Sequence, residues 1–118
     1  MADIAVFIVW DEVVRGRERR AIRVYNAVRE YLEGVQKEGK IESFETGVFG
    51  PATPLGGFLV VRGTEDQLVA LRRTKEFRRL MLRTRLVVEH LRVARALLGG
   101  QLLEQIREYQ EEVDDLEN

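Results

Sequence analysis

Residues Ile4 to Trp10 read Ile-Ala-Val-Phe-Ile-Val-Trp, an unbroken apolar run of β-branched and aromatic side chains, and Phe58-Leu59-Val60-Val61 is a second, shorter one. Successive side chains of a strand point to opposite faces, so a strand wetted on one side alternates apolar with polar residues. Neither run alternates. Both therefore read as strands that are dry front and back, and both are far too short to cross a bilayer. A chain with two such strands must set them in the middle of a sheet and cover that sheet on both faces.

The remaining residues supply the neighbours. After the polar turn Asp11 to Gly16, the residues Ile22, Tyr25, Val28, Leu32 and Val35 recur every three or four positions, which predicts an amphipathic helix stopping at Gly39. Ile41 to Phe49 is a mixed, more polar strand that suits a sheet edge. Gly50 to Gly57, with Pro51 and Pro54, reads as a loop, and Arg62-Gly63 closes the second apolar strand. Thr64-Glu65-Asp66-Gln67 is a capping box, opening a helix through Leu68, Leu71, Phe77, Leu80 and Met81 that re-starts near Thr74 and Glu76. Leu86 to Val93 is predicted as a fourth strand. Gly99-Gly100 then breaks the chain, and Leu102, Leu103, Ile106, Tyr109, Val113 and Leu116 mark a final amphipathic helix.

The predicted order is strand, helix, strand, strand, helix, strand, with a helix added at the C-terminus. That is the ferredoxin-like βαββαβ arrangement of the α+β class, expected as one domain over residues 1–118 with a four-stranded antiparallel sheet. Right-handed crossovers put the first and third strands in the centre, and those are the two doubly apolar ones. The two main helices cover one face only. Phe7, Val9, Phe58 and Val60, or their alternates, would be left on the other as an apolar patch. The C-terminal helix could cover part of it. The fuller solution is a second copy packed sheet face to sheet face about a two-fold axis, so a homodimer is expected, with assembly beyond the dimer left open.

Composition removes many chemistries. With no Cys and one His among 118 residues, disulfides, thiolate metal sites and thiol nucleophiles are excluded, and no metal or other cofactor is expected. Ser43 is the only serine, and neither Gly56-Gly57 nor Gly99-Gly100 has the spacing of a phosphate loop. Asp3 precedes the first apolar run, so no secretory leader is read and a cytoplasmic protein away from membranes is expected. The net charge of −1 hides a segregation. Between residues 72 and 95 stand Arg72, Arg73, Lys75, Arg78, Arg79, Arg83, Arg85, Arg92 and Arg95 against Glu76 and Glu89, while the tail from Glu104 carries seven acids against Arg107. Pairing of the basic second helix with the acidic last helix, within or between subunits, explains this more simply than nucleic-acid binding. The third strand also lacks the basic residue and alternating aromatics of an RNA-stacking platform.

Three residues stand out as ligand-binding candidates. His90 is the only histidine and the natural proton carrier. With strands one, three and four aligned at their centres, Arg62 falls on the same face and near the same end of the sheet as His90, where the two would hold an acidic or quinone-like ligand. Trp10, at the end of the first strand, could floor a pocket for a flat molecule; it is expected to be remote from His90.

The succession Ile4–Trp10, helix, Ile41–Phe49, Gly50–Gly57, Gly57-Phe58-Leu59-Val60-Val61, the helix carrying Thr74-Lys75-Glu76-Phe77-Arg78-Arg79-Leu80, and Leu86–Val93 resembles the dimeric α+β barrel superfamily over about residues 3–98. The ending Gly99-Gly100-Gln101-Leu102-Leu103-Glu104-Gln105 with Tyr109-Gln110-Glu111 is similar to small uncharacterised bacterial members. The resemblance implies the fold and the dimer more than an activity, since the group spans antibiotic-biosynthesis-type monooxygenases, haem-degrading enzymes, muconolactone isomerase-like proteins and ligand-sensing domains. The Asn, Trp and His set of the haem-degrading relatives is not carried over, because Asn26 reads as helical and Trp10 lies on the first strand. The expectation is a small-molecule-binding or assembly protein without catalysis, with a pocket between sheet and helices in each subunit. The alternative is a cofactor-independent monooxygenase- or isomerase-like enzyme acting on a small aromatic or polyketide-like molecule.

Overall fold

The computed structural model describes residues 3–50 and 55–117. Its elements run β1 (Ile4–Asp11), α1 (Glu18–Lys37), β2 (Ser43–Val48), β3 (Leu55–Gly63), α2 (Glu65–Arg73), α3 (Lys75–Arg85), β4 (Arg92–Leu97) and α4 (Gly99–Glu117). The strands form one antiparallel sheet in the order β2-β3-β1-β4. This is the ferredoxin-like topology, with the two doubly apolar strands at its centre. Residues 51–54 of the expected Gly50–Gly57 loop lie outside the described residues, and β3 has already begun at Leu55.

Period two divides the central strands. Val6, Ile8 and Trp10 of β1 sit opposite Val61, Leu59 and Gly57 of β3 and point towards the helices. Against them α1 buries Ala21, Val28, Leu32 and Val35, α2 buries Leu68 and Leu71, and α3 buries Phe77, Leu80 and Met81. Ile8, Leu32, Val6 and Val61 are less than 2% exposed, so this helix-side layer is the core. Each such side chain contributes about 1.5–3 kcal/mol through burial.

The helix breaks are chemical. Thr64 accepts a hydrogen bond from the Gln67 N–H at 3.1 Å, and the Gln67 side chain accepts from the Thr64 N–H at 2.8 Å, completing the capping box. At Thr74 the backbone turns extended (ψ 144°), ending α2, and its hydroxyl accepts from the Phe77 N–H to start α3. The same hydroxyl lies 3.0 Å from Tyr31 Oη, tying the break to α1.

Two expectations require correction. The fourth strand covers Arg92–Leu97 rather than Leu86–Val93. Residues 86–91 form a turn that pairs with the segment after β1: the Val14 N–H donates to Val87 O and the Glu89 N–H to Glu12 O. Val87, Val88 and Leu91 are apolar because they bury into the end of the core as a turn, not because they lie in a sheet. The last helix, in turn, covers neither face of its own sheet, for no side chain of α4 is buried. The chain accordingly spans 56 × 37 × 23 Å with a radius of gyration of 16.6 Å, against about 13.5 Å for a compact chain of this length.

Candidate functional site

With every packed helix on one side, no helix among the described residues covers the other side of the sheet. Phe7 and Val9 of β1 lie opposite Val60 and Phe58 of β3, and Ala94 of β4 lies opposite Phe7, all on that face. The rings of Phe7 and Phe58 stack at 6.1 Å, and Phe49 tilts onto Phe58 at 5.5 Å. Gly47 keeps room for this cluster, since a Cβ there would stand 2.7 Å from the Phe58 ring. The face is an aromatic and aliphatic platform with ion pairs only at its margins.

Arg62 and His90 occupy those margins. Arg62 lies opposite Ala5 at the start of β1, its guanidinium 2.7 Å from Glu45 Oε1. His90 belongs to the 86–91 turn, at φ 53°, and its Nδ1 is 2.9 Å from Asp11 Oδ2 at the end of β1. The other oxygen of Asp11 is 3.5 Å from Arg92. The expected meeting of Arg62 and His90 at one end does not occur. Six residues of β1 separate their positions, about 20 Å at strand rise. The physical reason is the displaced strand: with β4 starting at Arg92, His90 precedes it and falls beside the far end of β1. The same shift overturns the expected distance between His90 and Trp10, because His90 bonds the residue next to Trp10.

Trp10 faces the opposite way, into a cavity between sheet and helices of about 460 Å³. Ile8 and Trp10 form its floor with Leu59, α1 contributes Ala21, Tyr25 and Val28, and α3 and the following turn contribute Met81, Thr84, Val87 and Val88. Half-exposed and exposed Val13, Ile22 and Val48 form the rim. Trp10 is 9% exposed and lies over Gly56-Gly57, where a Cβ on Gly57 would come within 2.6 Å of the indole.

Three of the polar side chains that line it are engaged elsewhere. Tyr25 Oη is 2.9 Å from Thr46 Oγ1, the Thr84 hydroxyl donates to Leu80 O at 2.8 Å, and Glu18 accepts from the Gly16 N–H at 2.8 and 3.0 Å. Such a cavity selects by shape and apolar contact, in the volume range of small-molecule sites. Of the three sequence candidates it holds Trp10 alone. Met81 and Leu59 were legible only as core positions; that they line a void depends on the packing of α1 against α3, which no local pattern encodes.

Fold and site together define an α+β protein of ferredoxin-like topology, with a helix-side cavity and an uncovered sheet face. No protein-family model matches the chain, and no curated protein matches it either. Solved structures do. A dimeric ferredoxin-like protein of unknown function from Bacteroides fragilis superposes with a TM-score of 0.60 at 14% identity, covering 81% of this chain and 97% of its own. A hydroxynitrile lyase from Passiflora edulis gives 0.62 at 9% identity, over 85% and 97% of the two chains. A Bacteroides thetaiotaomicron protein, assigned provisionally to the antibiotic biosynthesis monooxygenases, gives 0.58 at 15%, over 83% and 93%. At these identities the likeness establishes the ferredoxin-like fold. None of the helices among the described residues is long and apolar enough to cross a membrane.

Proposed function

We propose that this protein is a cytoplasmic homodimer, joined through its open sheet faces, that binds an apolar small molecule in the helix-side cavity without transforming it. The observation that carries the binding reading is the lining itself: about 460 Å³ of apolar space over a tryptophan floor, with the Tyr25, Thr84 and Glu18 side chains held in structural hydrogen bonds. Support for the dimer comes from the Phe7–Phe58–Phe49 platform, which as a wetted surface would be an unusually apolar sheet face. Dimeric neighbours of the same fold point the same way. In this reading Trp10 contacts the ligand, while Arg62 and His90 border the dimer interface.

Trp10 is the only tryptophan, so its emission reports on the cavity. The neutral dye N-phenyl-1-naphthylamine is expected to quench it by energy transfer on binding at micromolar concentration. Ala21→Phe projects a ring into the space from α1 and is expected to weaken dye binding at least about tenfold, the equivalent of roughly 1.4 kcal/mol. Dye affinity unchanged in that variant, with its far-ultraviolet circular dichroism intact, would place the dye elsewhere and remove the binding site.

A further inference from the structure

Helix α4 carries one apolar stripe and shows it to solvent. Leu102, Ile106, Tyr109, Val113 and Leu116 follow at alternating steps of four and three, the spacing of a helix made to lie along another helix. Yet Tyr109 is 70% exposed and Leu116 84%. An isolated helix of this length is marginal in water, so the stripe needs a partner. The start of α4 fixes where it points. Leu98 is the only residue between β4 and α4, its N–H donates to Asp3 O at 2.7 Å, and Gly99 opens the helix at φ 50°. A Cβ on Gly99 would stand 2.7 Å from the Asp3 carboxylate. Turning α4 back onto its own protomer would undo this junction.

The outer face of α3 has the matching character. Leu82 and Leu86, 63% and 64% exposed, form a short ridge one turn apart. At 100° per residue, Arg78, Arg79, Arg83 and Arg85 flank that ridge on both sides. Arg79 reaches Glu76 only at 3.9 Å, and Arg83 and Arg85 have no acidic partner among the described residues. On α4 the same geometry puts Glu112 and Glu117 on either border of the stripe, and neither has a basic partner among the described residues.

We propose that α4 of one copy docks along the outer face of α3 of a second copy, apolar stripe on apolar ridge, with the α4 acids beside the α3 arginines. Charge decides the occupant. Two α4 helices side by side would bring together seven acids and one arginine from each chain, whereas α3 offers Lys75 and four arginines against Glu76. The contact uses neither the open sheet face nor the cavity, so it holds or fails independently of the function proposed above.

The absence of cysteine makes the test direct. Two separately tagged full-length chains, one carrying Leu82→Cys and the other Tyr109→Cys, are mixed under mild oxidation. The mixed disulfide is expected to form at least about tenfold faster than either chain bonds to itself. Arg79→Glu, Arg83→Glu and Arg85→Glu together, in the Leu82→Cys chain, should slow it about tenfold, and Glu112→Arg with Glu117→Arg in the other chain should restore the rate. Faster bonding of Tyr109→Cys to itself would pair α4 with α4 and overturn the proposal, as would a faster reaction with a Val60→Cys chain, which places α4 on the sheet. A rate indifferent to the charge reversals overturns it too. So does sub-micromolar binding of a random 20-nucleotide RNA at physiological salt, lost in the triple arginine variant, which would give the arginines to phosphates.

Discussion

Val60→Asp is expected to yield a folded chain that no longer pairs through its sheet face. Val60 stands opposite Phe7 in the centre of the open face, next in register to the Phe58 ring that gathers Phe7 and Phe49. In a single chain this position is only half-buried, so the new carboxylate keeps its water and the helix-side core is untouched. In a sheet-to-sheet dimer the two-fold axis sets two such carboxylates into one dry layer. Stripping even one unpaired charge of water costs several kcal/mol, and the dimer dissociation constant should rise at least about a thousandfold. Sedimentation velocity reads the dissociation, and circular dichroism checks that the fold survives. Val60→Thr, close in shape and uncharged, should weaken the dimer far less. If Val60→Asp sediments as wild type does, the face is not the interface.

The second large effect is expected at Gly56, where β3 begins against the end of β1. The register of β1 on β3 shifts between Trp10 and Asp11, and that irregularity presses the Asp11 carbonyl onto Gly56. A Cβ at Gly56 would lie 2.0 Å from Asp11 O and 2.9 Å from Trp10 Cδ1. The first contact is with backbone and cannot be relieved by a rotamer change. Gly56→Ala must therefore spread the strands or tilt the indole, at a cost of about 2–3 kcal/mol and a fall in Tm of roughly 10 °C. Because Trp10 floors the cavity, its emission should shift in the same variant. Gly34→Ala is the control, since a Cβ there meets nothing within 4 Å. A Tm for Gly56→Ala within a degree or two of wild type would show that β1 and β3 do not meet in this register.

Much of the fold was legible because its signals are local. The uninterrupted apolarity of Ile4–Trp10 and Phe58–Val61 marks central strands, the Thr64–Gln67 box marks a helix start, and Thr74 marks the break between α2 and α3. The face that Phe7, Val9, Phe58 and Val60 share follows from period two once the order of strands is known. The end of the domain was misread at Leu86–Val93, where a buried turn and a strand have the same composition: Val87, Val88 and Leu91 need only be apolar, and nothing local states that the ladder begins at Arg92. That displacement, small in sequence, carried His90 to the far end of β1 and separated it from Arg62. The cavity was less legible still. Ala21, Val28, Leu59 and Met81 carry the ordinary marks of core residues, and the space between them is a property of how the helices cross the sheet rather than of any one segment.

Gly56 and Trp10 show the same divide from the other side. The glycine pair reads in sequence as part of a loop, and in the fold it is the surface on which an indole rests.

In the proposed homodimer the open sheet face is covered by a second copy of the chain. Sedimentation equilibrium of the wild-type protein at low micromolar concentration tests this most directly. The expected result is a mass of at least twice the 13.7 kDa of one chain, lower in Val60→Asp and down to that of one chain when Arg79→Glu, Arg83→Glu and Arg85→Glu are added to remove the α4–α3 contact. A wild-type mass of 13.7 kDa across that concentration range would contradict it.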